Sequence, residues 1–169
     1  MHRFKIIPAT TAELHEIESL ARQIWPDAYG EILSPEQIDY MLGKMYDQAT
    51  LTREFRNGTR FDLLMCENRA IGFASYGPPN RQHILKLHKL YLLPECHGRG
   101  YGSATLRHVV EQAKELGCTA VDLCVNKHNK RAQRSYRRNG FEVVESIVTP
   151  LDHGFVMDDY LMRYTINKA

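Results

Sequence analysis

The chain has 169 residues, of which 43% are apolar and 25% charged; these proportions fit one globular domain and exclude a disordered chain, collagen or a fibrous repeat. Its 22 basic and 20 acidic side chains leave a formal net charge of +2, too balanced for charge alone to indicate nucleic-acid binding. No apolar run approaches the roughly 18 residues of a membrane span, and the N-terminus has no signal-peptide pattern, so we expect a single cytoplasmic domain over residues 1–169 that binds neither membrane nor nucleic acid.

The N-terminal segment is predicted to form a strand followed by a helix. Residues 4–9 have the pattern of a short edge strand that closes at Pro8. From Thr11 onwards, apolar residues recur at spacings of three and four, which predicts an amphipathic helix. Pro26 is expected to end this helix.

A second helix and a hairpin follow. Ser34 is a favourable N-cap and Pro35 suits the first helical turn, so a helix is predicted to begin there. Residues 49–57 are predicted to form only a short further turn. Two apolar runs at residues 61–67 and 70–77, separated by a two-residue turn, predict a β-hairpin.

The C-terminal half alternates strands and helices. A long strand at 83–93 is predicted to lead into a glycine-rich loop at 97–102 and then into a helix that ends at Gly117. The remaining elements are a buried strand, a basic helix and two further strands, at residues 120–125, 129–138, 141–148 and 155–166. This order indicates an α/β plan with at least one parallel crossover.

The cysteines and histidines carry no metal-binding signature. No CxxC spacing occurs among the four cysteines, which are Cys66, Cys96, Cys118 and Cys124. His83 and His88 are five residues apart on the predicted strand, so they are expected on opposite faces and do not form a ligand pair there. We therefore predict no metal site and expect reduced thiols.

The loop between the long strand and the next helix contains three alternating glycines, Gly98, Gly100 and Gly102. Glycine lets the backbone turn so that amide groups converge, and the following helix adds the positive end of its dipole. Such a loop is either a plain tight turn or a binding site for a pyrophosphate. The Rossmann GxGxxG and Walker A patterns are both absent, which disfavours a nucleotide-binding oxidoreductase.

The second motif is the basic segment NKHNKRAQRSYRRNG, in which six lysine and arginine side chains occur without an acidic one. On a helix, Arg131, Arg134 and Arg138 share one face, and Ala132 and Tyr136 share another. A basic face of this kind is either solvated or, together with the glycine loop, suited to a polyanion with the charge of coenzyme A.

Together the two motifs resemble the GNAT superfamily of acetyl-CoA-dependent N-acetyltransferases. LYLLPECHGRGYGSATL is similar to the family's Arg/Gln-x-x-Gly-x-Gly/Ala loop, with His97 where Arg or Gln is usual. The family's second segment is matched at Asn129, Ala132, Tyr136, Gly140 and Phe141. The resemblance covers residues 83–148, and the N-terminal helices and C-terminal sequence are more distantly similar to bacterial spermidine/spermine-type acetyltransferases.

The resemblance implies an α/β (α+β) fold with a mixed, mostly antiparallel sheet of six to seven strands, in which two central parallel strands splay apart, and about four flanking helices. Acetyl-CoA would enter the gap as co-substrate, its pantetheine arm pairing with the backbone of Tyr91, Leu92 and Leu93 and bonding Asn129. Its pyrophosphate would lie on the loop formed by His97, Gly98, Arg99, Gly100, Tyr101, Gly102 and Ser103. The basic helix, including Arg131, would help to neutralise the phosphates.

The implied reaction is direct attack of a primary amine on the thioester in a ternary complex. A lysine-like amine with a pKa of about 10.4 must lose a proton, and a departing thiolate with a pKa of about 8.5 must be stabilised. Tyr136 is the predicted proton donor, because transfer from a phenol with a pKa of about 10 is uphill by only about 2 kcal/mol. The base is either His88, which titrates near neutral pH, or a distant carboxylate reached through water. An amide near Leu92 would stabilise the oxyanion.

The acceptor is expected to be a small cationic amine, such as a polyamine. The first 50 residues carry eight acidic and four basic side chains, and an acidic wall on the acceptor side would attract a cation. Trp25 and Tyr29 either stack on an ammonium or pack in the core. From the sequence alone, a non-catalytic acyl-CoA-binding sensor is the alternative function, and an exposed last strand offers a site for homodimer pairing.

Overall fold

Seven strands form one mixed sheet that carries helices on both faces, in a computed structural model that describes residues 3–167. The strands are β1 (Phe4–Pro8), β2 (Arg60–Cys66), β3 (Arg69–Tyr76), β4 (Ile84–Leu92), β5 (Ala120–Asn126), β6 (Glu142–Pro150) and β7 (Val156–Thr165). The helices are α1 (Leu14–Tyr29), α2 (Pro35–Met45), α3 (Gln48–Arg56), α4 (Tyr101–Glu115) and α5 (Lys130–Arg138). The expected mixed fold class is confirmed.

The sheet has the strand order β1-β2-β3-β4-β5-β7-β6, and β4 and β5 are its parallel neighbours while the other pairs are antiparallel. The parallel register runs only from Ile84 opposite Ala120 to Leu87 opposite Leu123. The carboxyl-terminal halves of β4 and β5 therefore extend beyond the segment in which these two strands pair with each other. This is the opening between parallel strands that the resemblance implied.

A β-bulge lies in the middle of β4. Tyr76 of β3 pairs with Leu87 and Ser75 pairs with Lys89, so His88 is an extra residue on β4. Simple alternation would place Lys89 on the same face as Leu87. Instead Leu87 packs in the core beneath α4, whereas Lys89 reaches Glu54 of α3 on the other face.

Each face of the sheet is covered by its own apolar core. On one face, α1 contributes the buried residues Leu14, Ile17, Leu20, Ala21, Ile24 and Trp25. On the other face, α4 contributes Leu106, Val109, Val110 and Ala113. The side chains recur at the helical spacing of three and four residues, which explains why these segments are helical in this fold.

Two expectations about the first helices are wrong. Pro26 does not end α1, which continues to Tyr29; the missing proline N–H removes one helical hydrogen bond, but the buried Trp25 beside it keeps the segment packed on the sheet. The segment predicted as a turn at 49–57 forms most of α3, because the Asp47 side chain accepts a hydrogen bond of 2.9 Å from the Thr50 N–H and caps the helix. Residues 3–167 thus contain five α-helices, α3 being the one that the turn prediction did not include.

Two further expectations need correction. His83 lies just before β4 with a φ of +60°, so the expectation that it shares a strand with His88 on the opposite face is wrong. The last strand is not exposed for pairing either, because β7 lies between β5 and β6. The free edge at this end of the sheet belongs to β6.

Candidate active site

A cleft of about 750 Å³ opens where β4 and β5 separate. The end of α1, the second half of β4, the glycine loop, the end of β5 and one face of α5 line it. The sequence-predicted residues found in the lining are His88, Tyr91, Leu92, His97, Gly98, Gly100, Tyr101, Gly102, Ser103, Asn129, Arg131 and Tyr136. One cavity thus brings together the two motifs that are separated in the sequence.

The glycine loop presents unpaired amides at the start of α4. Gly98 and Gly100 have φ values of +77° and +84°, and no atom lies within 4 Å of where a Cβ would stand. Their requirement for glycine is therefore conformational. Gly100 is the N-cap of α4 and supplies no side-chain hydrogen bond, so the first amides of the helix remain available to an anion.

His97 connects this loop to β4. Its Nε2 lies 3.1 Å from the Leu92 carbonyl oxygen, and since a carbonyl only accepts, Nε2 carries the proton and donates it. Burial lowers the pKa of His97, and the charge of Arg131 lowers it further. The neutral ring therefore fixes the loop, and its buried Nδ1 has no hydrogen-bond partner within residues 3–167.

Leu93 and Arg99 do not line the cleft. Leu93 is buried, and its N–H donates a hydrogen bond of 2.8 Å to the Ile71 carbonyl of the neighbouring strand. Because successive amides of a strand point to alternate edges, the N–H and C=O of Leu92 point to the edge that faces β5. The Leu92 N–H is thus available on the cleft side, while its C=O already accepts one hydrogen bond from His97. The backbone of Leu93 is paired on both its N–H and its C=O, and Arg99 is exposed outside the lining.

Three side-chain hydrogen bonds fix the start of the basic helix. Asn129 caps it, with Oδ1 accepting from the Ala132 N–H at 3.2 Å. The buried Gln133 donates to the carbonyl oxygens of Asn126 and Lys127 at 3.0 and 2.8 Å, a role that nothing in the sequence pattern indicated. As the helical spacing predicted, Arg131, Arg134 and Arg138 face the cleft together.

The end of α5 also contacts the start of α4. The Asn139 side chain donates a hydrogen bond of 3.0 Å to the Ser103 hydroxyl. This contact places the basic helix directly beside the glycine loop, so both can act on one phosphorylated ligand. No sequence pattern indicates this contact, because it joins residues that are distant along the chain.

Tyr136 extends from α5 into the cleft. Its ring centroid lies 6.0 Å from that of Phe141, and its hydroxyl has no hydrogen-bond partner within residues 3–167. Burial raises the pKa of Tyr136 above that of an ordinary tyrosine, and the nearby Tyr29 adds to this effect. The phenol therefore keeps its proton at neutral pH and is free to donate it to a ligand.

His88 faces the cleft from the bulge of β4. Its Nε2 lies 3.0 Å from the Gly77 carbonyl oxygen, so Nε2 carries the proton and Nδ1 is left as an acceptor. The imidazole is exposed toward the cavity, but partial desolvation lowers its pKa. The ring is therefore neutral at pH 7 and able to accept a proton.

The aromatic residues of α1 have different positions. Trp25 is only 2% exposed and packs against Tyr29 and Tyr46 in the core, with ring centroids 4.7 and 5.6 Å apart, so it is not available to stack on an ammonium. Tyr29 lines the cleft, and its hydroxyl lies 2.7 Å from that of Tyr91. Burial raises the pKa of Tyr29 to about 12.

Lys89 is a buried charge that the sequence pattern did not single out. It is 5% exposed, its Nζ lies 3.1 Å from a carboxylate oxygen of Glu54, and it stands 5.3 Å from the Tyr46 ring centroid. The bulge at His88 turns Lys89 to this face.

Between residues 3 and 167 there is no cluster of three or more potential metal ligands, and none of the helices there is long and apolar enough to cross a membrane.

Comparison with known proteins agrees with the resemblance that the two sequence motifs indicated. The family model described as "Acetyltransferase (GNAT) family" matches residues 14–141. An uncharacterized N-acetyltransferase of Mycobacterium tuberculosis is 31% identical over 130 residues, covering 76% of this chain and 82% of the relative. A spermidine N(1)-acetyltransferase of Thermoplasma acidophilum is 26% identical over 140 residues, covering 79% and 85%.

Solved structures share the fold over almost the whole chain. A PaiA N-acetyltransferase from Thermoplasma acidophilum, crystallised in complex with coenzyme A, superposes with a TM-score of 0.81 at 23% identity. The match covers 97% of this chain and 99% of that one.

Proposed function

Because the chain belongs to the GNAT family of acetyltransferases and is therefore an acetyl-CoA-dependent N-acetyltransferase, we propose that it acetylates the primary amine of a small cationic acceptor. The observation that carries this proposal is the single cleft shared by the glycine loop, the basic face of α5, His88 and Tyr136. The similarity to a spermidine N(1)-acetyltransferase supports a polyamine as the acceptor class.

The cleft suits acetyl-CoA in its distribution of charge and hydrogen-bond donors. The amides of Tyr101, Gly102 and Ser103 lie in the first turn of α4 and are available for the pyrophosphate. The arginine face of α5 would balance the phosphate charge. The Leu92 carbonyl oxygen, through the lone pair that His97 does not use, would accept from a pantetheine amide as in an added strand. The Asn129 amide nitrogen, which the cap does not use, would donate to the same arm.

His88 is the proposed base. As the amine nitrogen forms its bond to the thioester carbon, Nδ1 of His88 accepts the proton that the nitrogen loses. The hydrogen bond to Gly77 holds the ring in the tautomer that leaves Nδ1 free. The Leu92 N–H is the proposed donor to the oxygen that becomes negatively charged during attack.

Tyr136 is the proposed acid. When the carbon–sulfur bond breaks, its hydroxyl donates to the departing sulfur, which leaves as the thiol of CoA. Burial raises the pKa of Tyr136, which by itself makes complete proton transfer from its hydroxyl to the sulfur less favourable. The same desolvation also destabilises the thiolate, so the two effects partly cancel in the loaded cleft. His88 releases the amine proton, and Tyr136 recovers one from solvent, before the next cycle.

A thiol-release assay with acetyl-CoA and a panel of primary amines tests this proposal. We expect release that depends on the amine, with an acetylated product seen by mass spectrometry and with cationic amines preferred. Tight CoA binding without turnover on any amine would instead indicate the acyl-CoA-binding sensor.

We also propose that two copies pair through the free edge of β6. Its exposed side chains include Val143, Val144 and Val148, which are 38%, 50% and 60% exposed, and a long apolar edge strand is a template for pairing with a second one. Sedimentation equilibrium is expected to show a dimer that Val144→Lys with Val148→Lys converts to a monomer. A wild-type monomer would refute this.

A further inference from the structure

Asp159 is a buried carboxylate that is not paired with any described residue. It lies on β7, is only 7% exposed, and makes no hydrogen bond or ion pair with any residue between 3 and 167. Burying a carboxylate is unfavourable unless a hydrogen-bond donor or a cation compensates for its lost hydration. By contrast Asp122, on the neighbouring β5, receives two hydrogen bonds from Arg163 at 2.7 and 2.9 Å.

The strand register places Asp159 on the same face of the sheet as Cys124, next to the residues that line the cleft. It pairs with Asn126 of β5, and alternation along β5 places Cys124 on the same face as Asn126. Cys124 lines the cleft. Burial raises the pKa of the Cys124 thiol, and the charge of Asp159 adds to the rise. Burial likewise raises the pKa of Tyr29, another lining residue, and the charge of Asp159 acts in the same direction.

The lysines near Asp159 do not occupy its carboxylate. Lys127 is bound to Asp158, with 2.6 Å between Nζ and Oδ1, and lies 5.5 Å from the Tyr160 ring centroid. Lys86, on β4, forms no ion pair within residues 3–167. Burial and the charge of Asp158 raise the pKa of Asp159, and the two lysines only partly offset this. The carboxylate therefore retains capacity for a further cation.

The start of β7 is fixed rather than free to move away. The segment that leads into it is held on α2, where the Tyr40 hydroxyl donates to Asp152 at 2.7 Å and the Gln37 side chain donates to the Val156 carbonyl at 2.8 Å. A carboxylate on a strand held in this way is preorganised for a ligand.

We propose that Asp159 binds a second, non-reacting ammonium group of the acceptor. The inference rests on the proposed function. The reacting nitrogen must be neutral to attack the thioester, whereas a buried carboxylate is best compensated by a full positive charge. The acceptor is therefore a diamine or polyamine, with one amine at His88 and Tyr136 and another charged nitrogen at Asp159.

The test compares linear α,ω-diamines of increasing length with n-alkyl monoamines of the same length, in wild type, Asp159→Asn and Asp158→Asn. Asp158→Asn is the matched control, since it removes the same charge from the adjacent position. Wild type is expected to prefer diamines. Asp159→Asn should raise the KM of the best diamine by about 10- to 100-fold, because one hydrogen bond to a charged group is lost. Its kcat, its KM for acetyl-CoA and its monoamine kinetics should change less than about threefold.

Three results would overturn the proposal. They are a wild-type enzyme that acetylates monoamines as well as diamines, an unchanged diamine KM in Asp159→Asn, and a fall in kcat on both amine classes alike. The first comparison needs no variant, so it decides even where Asp159→Asn does not fold. Wild type that acetylates no amine removes the proposed function and this inference together, whereas amine turnover without an Asp159 effect removes only this inference.

Discussion

Replacing Tyr136 with phenylalanine tests the assignment of the acid in the reaction. The tyrosine hydroxyl has no hydrogen-bond partner within residues 3–167, and its ring packs at 6.0 Å from the Phe141 ring. Phenylalanine keeps that packing and leaves no buried group unpaired, so we expect a change in the free energy of unfolding of less than about 0.5 kcal/mol.

The effect on catalysis should be much larger. A hydrogen bond to a charged group is worth about 1.5 to 3 kcal/mol, so losing it at the departing sulfur lowers kcat by about 10- to 150-fold. Complete proton transfer in the transition state would increase the loss to about 1000-fold. The CoA dissociation constant should change little, because the hydroxyl acts on the leaving group rather than on the phosphates.

The assay measures kcat by thiol release and CoA affinity by titration for Tyr136→Phe and Tyr164→Phe. Tyr164 is the matched control: it also packs against Phe141, at 5.6 Å, but lies outside the cleft lining. Equal kcat values for Tyr136→Phe and wild type would remove Tyr136 from the mechanism. Equal losses in both variants would show that packing, not proton donation, is responsible.

Two further predictions concern the base and the loop. Because desolvation lowers the pKa of His88 and its neutral form is the base, activity should be lost as pH falls through a value below the usual imidazole pKa of about 6.5. In a pH–rate profile at saturating amine, His88→Gln should lower kcat and abolish that acidic limb. A limb that stays in place would assign the base elsewhere. Gly100→Ala and Gly117→Ala replace glycines at φ values of +84° and +75°, with open space around both. Chemical denaturation should therefore show similar losses of about 1 kcal/mol in the free energy of unfolding, but only Gly100→Ala should weaken CoA binding, by roughly tenfold. Equal CoA affinities of the two variants would exclude the loop as the phosphate site.

The strands and the two motifs that line the cleft could be predicted because they depend on local patterns. Alternating glycines before an apolar helix indicate a sharp loop, and arginines three and four residues apart indicate one basic helix face; the structure brings Gly100 and Arg131 into the same cleft. The register of β4 could not be predicted in this way. Its bulge at His88 arises from pairing with β3, and it sends Lys89 to Glu54 rather than to the face of Leu87.

The roles of single polar residues depend even more on distant contacts. An aspartate before a helical segment, such as Asp47, is a recognisable N-cap pattern, whereas no sequence pattern indicates the hydrogen bonds of Gln133. Asp159 resembles any acidic residue of an amphipathic strand until the register places it opposite Asn126, on the face of Cys124, with no ion pair to any residue between 3 and 167. Its significance lies in burial and missing partners, which only the tertiary structure contains.

A crystal structure of the chain bound to CoA tests the central claim most directly, namely that one cleft holds the phosphates and presents the sulfur to Tyr136. We expect pyrophosphate oxygens at hydrogen-bond distance from the amides of residues 101–103 and the sulfur within about 3 to 4 Å of the Tyr136 hydroxyl. CoA bound away from the glycine loop, or a sulfur turned away from Tyr136, would contradict it.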